Sequence, residues 1–168
     1  WSVVAEALIK RYNLNDKSSI LHINSEKGFL LYELKKIIPT LKIKGYETSS
    51  YAIKKTPIEI RKSIAKINNY LEINTSKKFD LTIAMGVVYS YSLKDAAKVL
   101  KILNKISNKS FITLASYKDL NDYSLFKNWT LLGTTILKKN EWKIFLKYFN
   151  YKGDYEFTNS VSLNLKKL

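Results

Sequence analysis

Ser18-Ser-Ile-Leu-His-Ile-Asn-Ser-Glu-Lys-Gly-Phe-Leu-Leu-Tyr-Glu33 passes from an apolar run through a short polar loop to a glycine and into a second apolar pattern. The run from Ile20 to Ile23 is too short for a helix and reads as a buried strand. From Gly28 to Ile38, the residues Phe29, Leu30, Leu31, Leu34, Ile37 and Ile38 recur at helical spacing, and Pro39 closes the pattern. A strand that feeds a helix through a polar loop opens a βαβ unit. In open α/β sheets the ligand lies at that carboxyl end of the strands. Asn24-Ser25-Glu26-Lys27-Gly28 is therefore the first candidate for a binding loop.

Working outward, Ser2 to Tyr12 places Val3, Val4, Ala7 and Leu8 at helical spacing, and Leu41 to Tyr46 reads as a second strand. Glu47 ends that strand about twenty residues beyond the loop, a spacing at which a carboxylate can accept from both hydroxyls of a ribose. Ser49 and Ser50 can cap a short helix ending near Pro57, and Ile60 to Ile67 suggests a third strand. Phe79 to Val88, apolar through Leu81, Ile83 and Met85, is a fourth. Leu93 to Ile106 is a helix with Ala96, Ala97, Leu100 and Leu103 on one face. Ser110 to Ser116 is a strand followed by a polar loop through Asp122. Trp129 to Leu137 is β-rich, Asn140 to Phe149 is helical, and Tyr155 to Val161 closes as a strand. Strands alternating with helices predict a doubly wound, mostly parallel seven-stranded sheet with helices on both faces. The two late strands around one helix predict an antiparallel edge strand. The expected organisation is one α/β domain over residues 1–168, with an N-terminal helix at 2–12 and the core over 18–161.

With 168 residues and 46% hydrophobic content the chain can bury a single core. It holds no apolar run long enough to span a membrane. It opens at Trp1 inside a helical pattern with no secretory signal in view, and the absent initiator Met suggests that natural sequence ahead of it has been trimmed. Without cysteine there are no disulfides, thiolate nucleophiles or thiolate metal sites, which suits a cytoplasmic protein. The net charge of +15 raises nucleic acid as a partner. Against that, Arg occurs only at Arg11 and Arg61, and the lysines are scattered, so the charge reads as a solvated surface. His22 is the only histidine, and no His, Asp and Glu cluster has metal-ligand spacing, so no metal is expected.

Several of these stretches resemble the class I S-adenosylmethionine-dependent methyltransferases, with their Rossmann-like core, and in particular a small bacterial subgroup. Ile20 to Glu33 is similar to that subgroup's first motif, V-L-D-I-G-C-G-K-G-F-L-L-Y-E. Lys44-Gly-Tyr-Glu-Thr-Ser-Ser-Tyr-Ala-Ile53 resembles its second, x-G-I-D-I-S-x-Y-A-I. Phe79-Asp-Leu-Thr-Ile-Ala84 resembles the strand F-D-L-V-I-S, and Glu141-Trp142 through Tyr151-Lys-Gly-Asp-Tyr-Glu-Phe157 resembles the tail E-W…G-Y-x-G-D-Y-E-F. The likeness runs over residues 1 to 157.

The resemblance implies S-adenosylmethionine (SAM) as cofactor, lying over the loop 22–28, with ribose on Glu47, adenine near Tyr46, Asn68 and Asn69, and Met85 beside it. It implies methyl transfer to a small or sugar-like acceptor, with Tyr89 as the local candidate for a base. The first motif is degenerate. His22 stands at the acid that orients the SAM amino group, Asn24 and Glu26 stand at the first two glycines, and only Gly28 is kept. Gly86 and Tyr89 stand where many subgroup members have Asn-x-x-His, and Asn68 where the adenine-binding acid falls. Asn tolerates the left-handed conformation that such loops need. Glu26 adds a carboxylate near that of the methionine tail, and Lys27 folding over it would soften the repulsion. Two functions stay open: an active transferase, or an inactive methyltransferase-like module (a pseudoenzyme) that binds a protein partner or serves as a scaffold.

Overall fold

The computed structural model describes residues 1–107 and 109–166. They form two compact units, Trp1–Ile83 with Ile106–Lys109, and Ala84–Lys105 with Ser110 onward.

The first unit begins with α1 (Ser2–Tyr12), which buries Ala5, Leu8 and Tyr12 at helical spacing and packs on α2 (Phe29–Ile37). Lys10 and Arg11 lie in the last turn of α1, where the helix dipole favours cations. Asn13 (φ 53°) closes it in the left-handed conformation, donating to the Ile9 carbonyl. Strand β1 (Ser19–Ile23) lies between β2 (Lys42–Glu47) and β4 (Leu81–Ala84), and β2 also pairs with β3 (Ile64–Lys66); all three pairings are parallel. The local order is thus β3-β2-β1-β4. Every residue of β1 after Ser19 is buried, as befits a strand flanked on both edges. α3 (Ser50–Lys54) and α4 (Ile58–Arg61) join β2 to β3, and the Ser49 side chain caps α3 by accepting from the Ala52 N–H at 3.2 Å. The expected strand over Ile60 to Ile67 is shorter than its apolar pattern suggests: Ile60 and Arg61 end α4, a turn follows, and only Ile64–Lys66 is strand.

In the second unit α5 (Leu93–Ile106) runs over the expected residues and buries Ala96, Ala97, Val99, Leu100 and Leu103. Strand β5 (Ser110–Tyr117) pairs with β6 (Leu137–Lys138) and β7 (Asp154–Thr158). α6 (Leu120–Trp129) and α7 (Lys139–Tyr148) provide the crossovers. Phe126, Ala115 and Ile136 make one buried cluster. Trp142 is fully buried and donates its indole N–H to the Ala115 carbonyl at 2.6 Å.

Two expectations change here. The edge strand is parallel rather than antiparallel, because β7 follows α7, and a helical crossover returns the chain to the same end of the sheet. The stretch after Ser116 is also more helical than its polarity suggests. The Asp119 carboxylate accepts from the Asp122 N–H at 3.0 Å and starts α6 inside the supposed loop. Leu131 and Leu132, in the supposed β-rich run, are exposed, and only Leu137–Lys138 pairs.

Candidate functional site

The loop after β1 is built on alternating left-handed residues. Asn24 (φ 61°), Glu26 (φ 50°) and Gly28 (φ 74°) all have positive φ. These are the positions of the three glycines in the motif the chain resembles; the backbone there follows a glycine-type path that Asn24 tolerates and the Glu26 side chain disfavours. Three contacts hold that path. Ser25 donates its N–H to the Tyr46 carbonyl at 3.1 Å, Gly28 closes a turn onto the Ser25 carbonyl at 2.8 Å, and the Tyr70 hydroxyl donates to Asn24 Oδ1 at 3.0 Å. Ser25 nests over β2, where a Cβ on Gly45 would come within 2.8 Å of its Oγ and 2.4 Å of Ile64 Cδ1. Gly28 opens α2 against Thr56 and Ile60, either of which a Cβ would meet at 3.0 Å.

Glu47 locks the loop to the end of β2. It is only 3% exposed, and its carboxylate accepts three backbone N–H groups: Glu26 at 2.7 Å on Oε2, with Thr48 at 2.9 Å and Ser49 at 2.8 Å on Oε1. Charge-assisted bonds of this kind are each worth about 1.5–3 kcal/mol. Oε1 is saturated, whereas Oε2 carries one donor and has a lone pair left for a ligand hydroxyl.

The Glu26 side chain is exposed, yet its carboxyl is raised above the usual range, first by partial desolvation and then by the charge of Glu47, with Lys27 opposing. Lys27 acts as expected in sign, and its ammonium lies over the Tyr51 ring at 6.0 Å. His22 is 4% exposed, between Gly45 of β2 and Ile83 of β4, and its Nδ1 has no hydrogen-bond partner. Burial lowers its pKa to about 4, so the ring is neutral at physiological pH. It supplies no charge to the loop.

Tyr46, Asn68 and Asn69 line one recess of about 280 Å³ in the first unit, together with Ile67, Glu72, Ile73 and Asn74. Asn69 caps a 3-10 turn, Tyr70–Glu72, by accepting from the Leu71 N–H at 2.9 Å; Asn68 is exposed. The structure thus brings His22, Asn24, Glu26, Gly28, Tyr46, Glu47 and Asn68 into one unit. Met85 and Tyr89 belong to the other, just past β4. There the Tyr89 ring packs edge-on against Phe126, with centroids 6.2 Å apart, and its carbonyl accepts from the N–H groups of Thr134 and Thr135.

Sequence reasoning missed Ser25 and Tyr70, which hold the loop, and the Thr48 and Ser49 amides, which hold Glu47. Only Ser49 carried a signal, as a cap. Among the described residues no group of His, Asp and Glu could hold a metal, and no helix is long and apolar enough to cross a membrane.

No protein-family model matches the chain, and no curated protein matches it in sequence. Solved structures do. The YcgJ protein of Bacillus subtilis superposes over 86% of this chain and 66% of its own, at 11% identity and a TM-score of 0.67. An S-adenosylmethionine-dependent methyltransferase of Clostridium acetobutylicum matches 65% of this chain and 46% of its own, at 18% identity and a TM-score of 0.52. PKMT2 of Rickettsia typhi, in complex with AdoHcy, matches 59% of this chain and 21% of its own, at 23% identity and a TM-score of 0.52. The chain therefore spans less than two thirds of the length of each of these proteins. At such identities the likeness is one of backbone path, and on that ground the chain has the Rossmann-like fold of class I SAM-dependent methyltransferases.

Proposed function

We propose that this chain binds SAM over the loop 22–28 and transfers its methyl group to a small or sugar-like acceptor. The observation that carries the reading is the backbone of the loop. Three left-handed residues lead into α2 directly above a buried carboxylate, although two of the three are not glycine. A sequence with no use for that path would be expected to relax it, since Glu26 is strained there by about 1–2 kcal/mol, whereas Asn24 tolerates the conformation. One ribose hydroxyl would donate to the open lone pair of Glu47 Oε2, and adenine would enter the recess beside Tyr46, Asn68 and Asn69. Methyl transfer is a direct displacement: the acceptor lone pair forms the new bond to the methyl carbon while the carbon–sulfur pair returns to sulfur. Most of the rate then comes from in-line positioning. Tyr89, as the base that takes the acceptor's proton, and Met85, as a cofactor contact, enter the proposal through the resemblance alone.

A second reading has its own support. Glu47 already accepts three backbone bonds, and the Glu26 carboxylate brings negative charge to the loop that would face the methionine carboxylate. That favours a module that kept the fold and lost the cofactor. Calorimetry with SAM and its demethylated product S-adenosylhomocysteine decides between them. Binding that weakens at least tenfold in Glu47→Gln supports the transferase. Silence at about 1 mM ligand, equivalent to a binding free energy weaker than about −4 kcal/mol, leaves the inactive module.

A further inference from the structure

Parallel sheets are ordinarily covered by helices on both faces, because their crossovers are helical. The connection from β3 to β4 departs from this: its only regular element is the 3-10 turn Tyr70–Glu72. Alternate residues of β2, Lys42, Lys44 and Tyr46, share one sheet face, and a recess of about 270 Å³ lies over them. Its far wall is the returning segment, with Thr75, Lys77 and Phe79.

The recess is electropositive. Three lysines line it and no carboxylate does. Lys44 lies over the Tyr46 ring at 5.7 Å and Lys77 over the Phe79 ring at 5.4 Å, so two of the ammonium groups rest on fixed aromatic faces. Asp80, whose Oδ2 accepts from the Ser19 N–H at 2.7 Å and the Ser19 hydroxyl at 2.8 Å, offsets the charge of Lys42 in part from outside the recess, which leaves Lys44 and Lys77 uncompensated. None of the three lysines has an ion-pair partner among the described residues. Like charges gathered on a sheet face cost free energy unless an anion joins them.

We propose that this recess is a binding site for the phosphate group of a small phosphorylated metabolite. Compact ammonium groups suit a phosphate as point charges, with no need of the bidentate fork that base recognition uses. The volume lies just below the ~300 Å³ at which pockets for drug-sized ligands begin, which fits a sugar phosphate and not a polymer tracking a groove. The recess adjoins the proposed adenine site, since Tyr46 lines both, but its three lysines line only this one and take no part in the contacts that hold the loop.

The test uses ribose 5-phosphate and inorganic pyrophosphate as probes, at low salt, by calorimetry and by backbone amide NMR of the unsubstituted protein. Expected are amide shifts centred on residues 42–46 and 75–79, and an affinity at least tenfold lower in K42Q/K44Q/K77Q. A control of equal charge loss in the other unit, K94Q/K143Q/K147Q, should lose less than threefold. Equal losses in the two triple variants would reduce the effect to general surface charge and overturn the site. So would no binding of either probe at about 10 mM, including the case in which a single-stranded oligonucleotide binds instead.

Discussion

Replacing Glu26 by glycine should stabilise the protein, an unusual direction for a substitution in a binding loop. Glu26 sits at φ 50°, a region in which a Cβ costs about 1–2 kcal/mol. Glycine avoids that cost but gives back roughly 0.5–1 kcal/mol through the greater freedom of the unfolded chain. The net backbone gain is about 0.5–1 kcal/mol. In a protein of this size that raises Tm by about 1–4 °C.

A Glu26→Gln variant keeps the strained backbone and removes only the charge, so the difference between the two variants isolates the conformational term. The charge term has a definite pH signature. The Glu26 carboxyl is raised, first by desolvation and then by Glu47, with Lys27 opposing, so the folded state holds the proton more tightly than the unfolded one. Any stability this lends is present below the ordinary Glu range and is lost as pH rises through the raised value. The advantage of Glu26→Gln should accordingly be absent in acid and appear towards neutrality. Thermal melts of the three proteins at pH 4 and pH 7 provide the assay. Glu26→Gly melting at or below the wild-type temperature at pH 7 would refute the reasoning, as would Glu26→Gln recovering the whole gain.

Two further outcomes follow from the same unit. His22, with its pKa lowered from 6.5 to about 4, stays neutral in the fold while the unfolded chain takes up a proton. Stability should therefore fall as pH drops from 6.5 to about 4, by up to about 3 kcal/mol; denaturant titrations across that window should show the slope in wild type and lose it in His22→Gln, and parallel profiles would contradict the assignment. Gly28→Ala should cost about 1–3 kcal/mol, because φ is +74° and the new methyl meets Thr56 and Ile60 at 3.0 Å. An unchanged melting temperature for Gly28→Ala would mean that the turn into α2 is not held as described.

Much of the architecture was legible along the chain. Helices α1 and α5 lie where their apolar spacing put them, and β1 into α2 was set by a short apolar run, a glycine and a proline-closed amphipathic pattern. These are local signals, since each residue's burial follows from its own strand or helix period. The same pattern marked the polar loop between β1 and α2 as the candidate site, since the loop's position follows from the two elements that flank it.

What the chain could not display along its length is how non-neighbouring groups share one space. That Asn24 and Glu26 hold glycine-type dihedrals depends on Tyr46, Glu47 and Tyr70 gripping the loop from far along the sequence. The sequence shows only that His22 stands where the resembled motif has an acid; the flanking strands bury it and leave it neutral. The parallel β7 is likewise a matter of which end of the sheet a crossover returns to. Periodicity determines which face of an element is apolar; hydrogen bonding and desolvation between elements decide the dihedral, the charge and the direction, and only the folded chain brings those partners together.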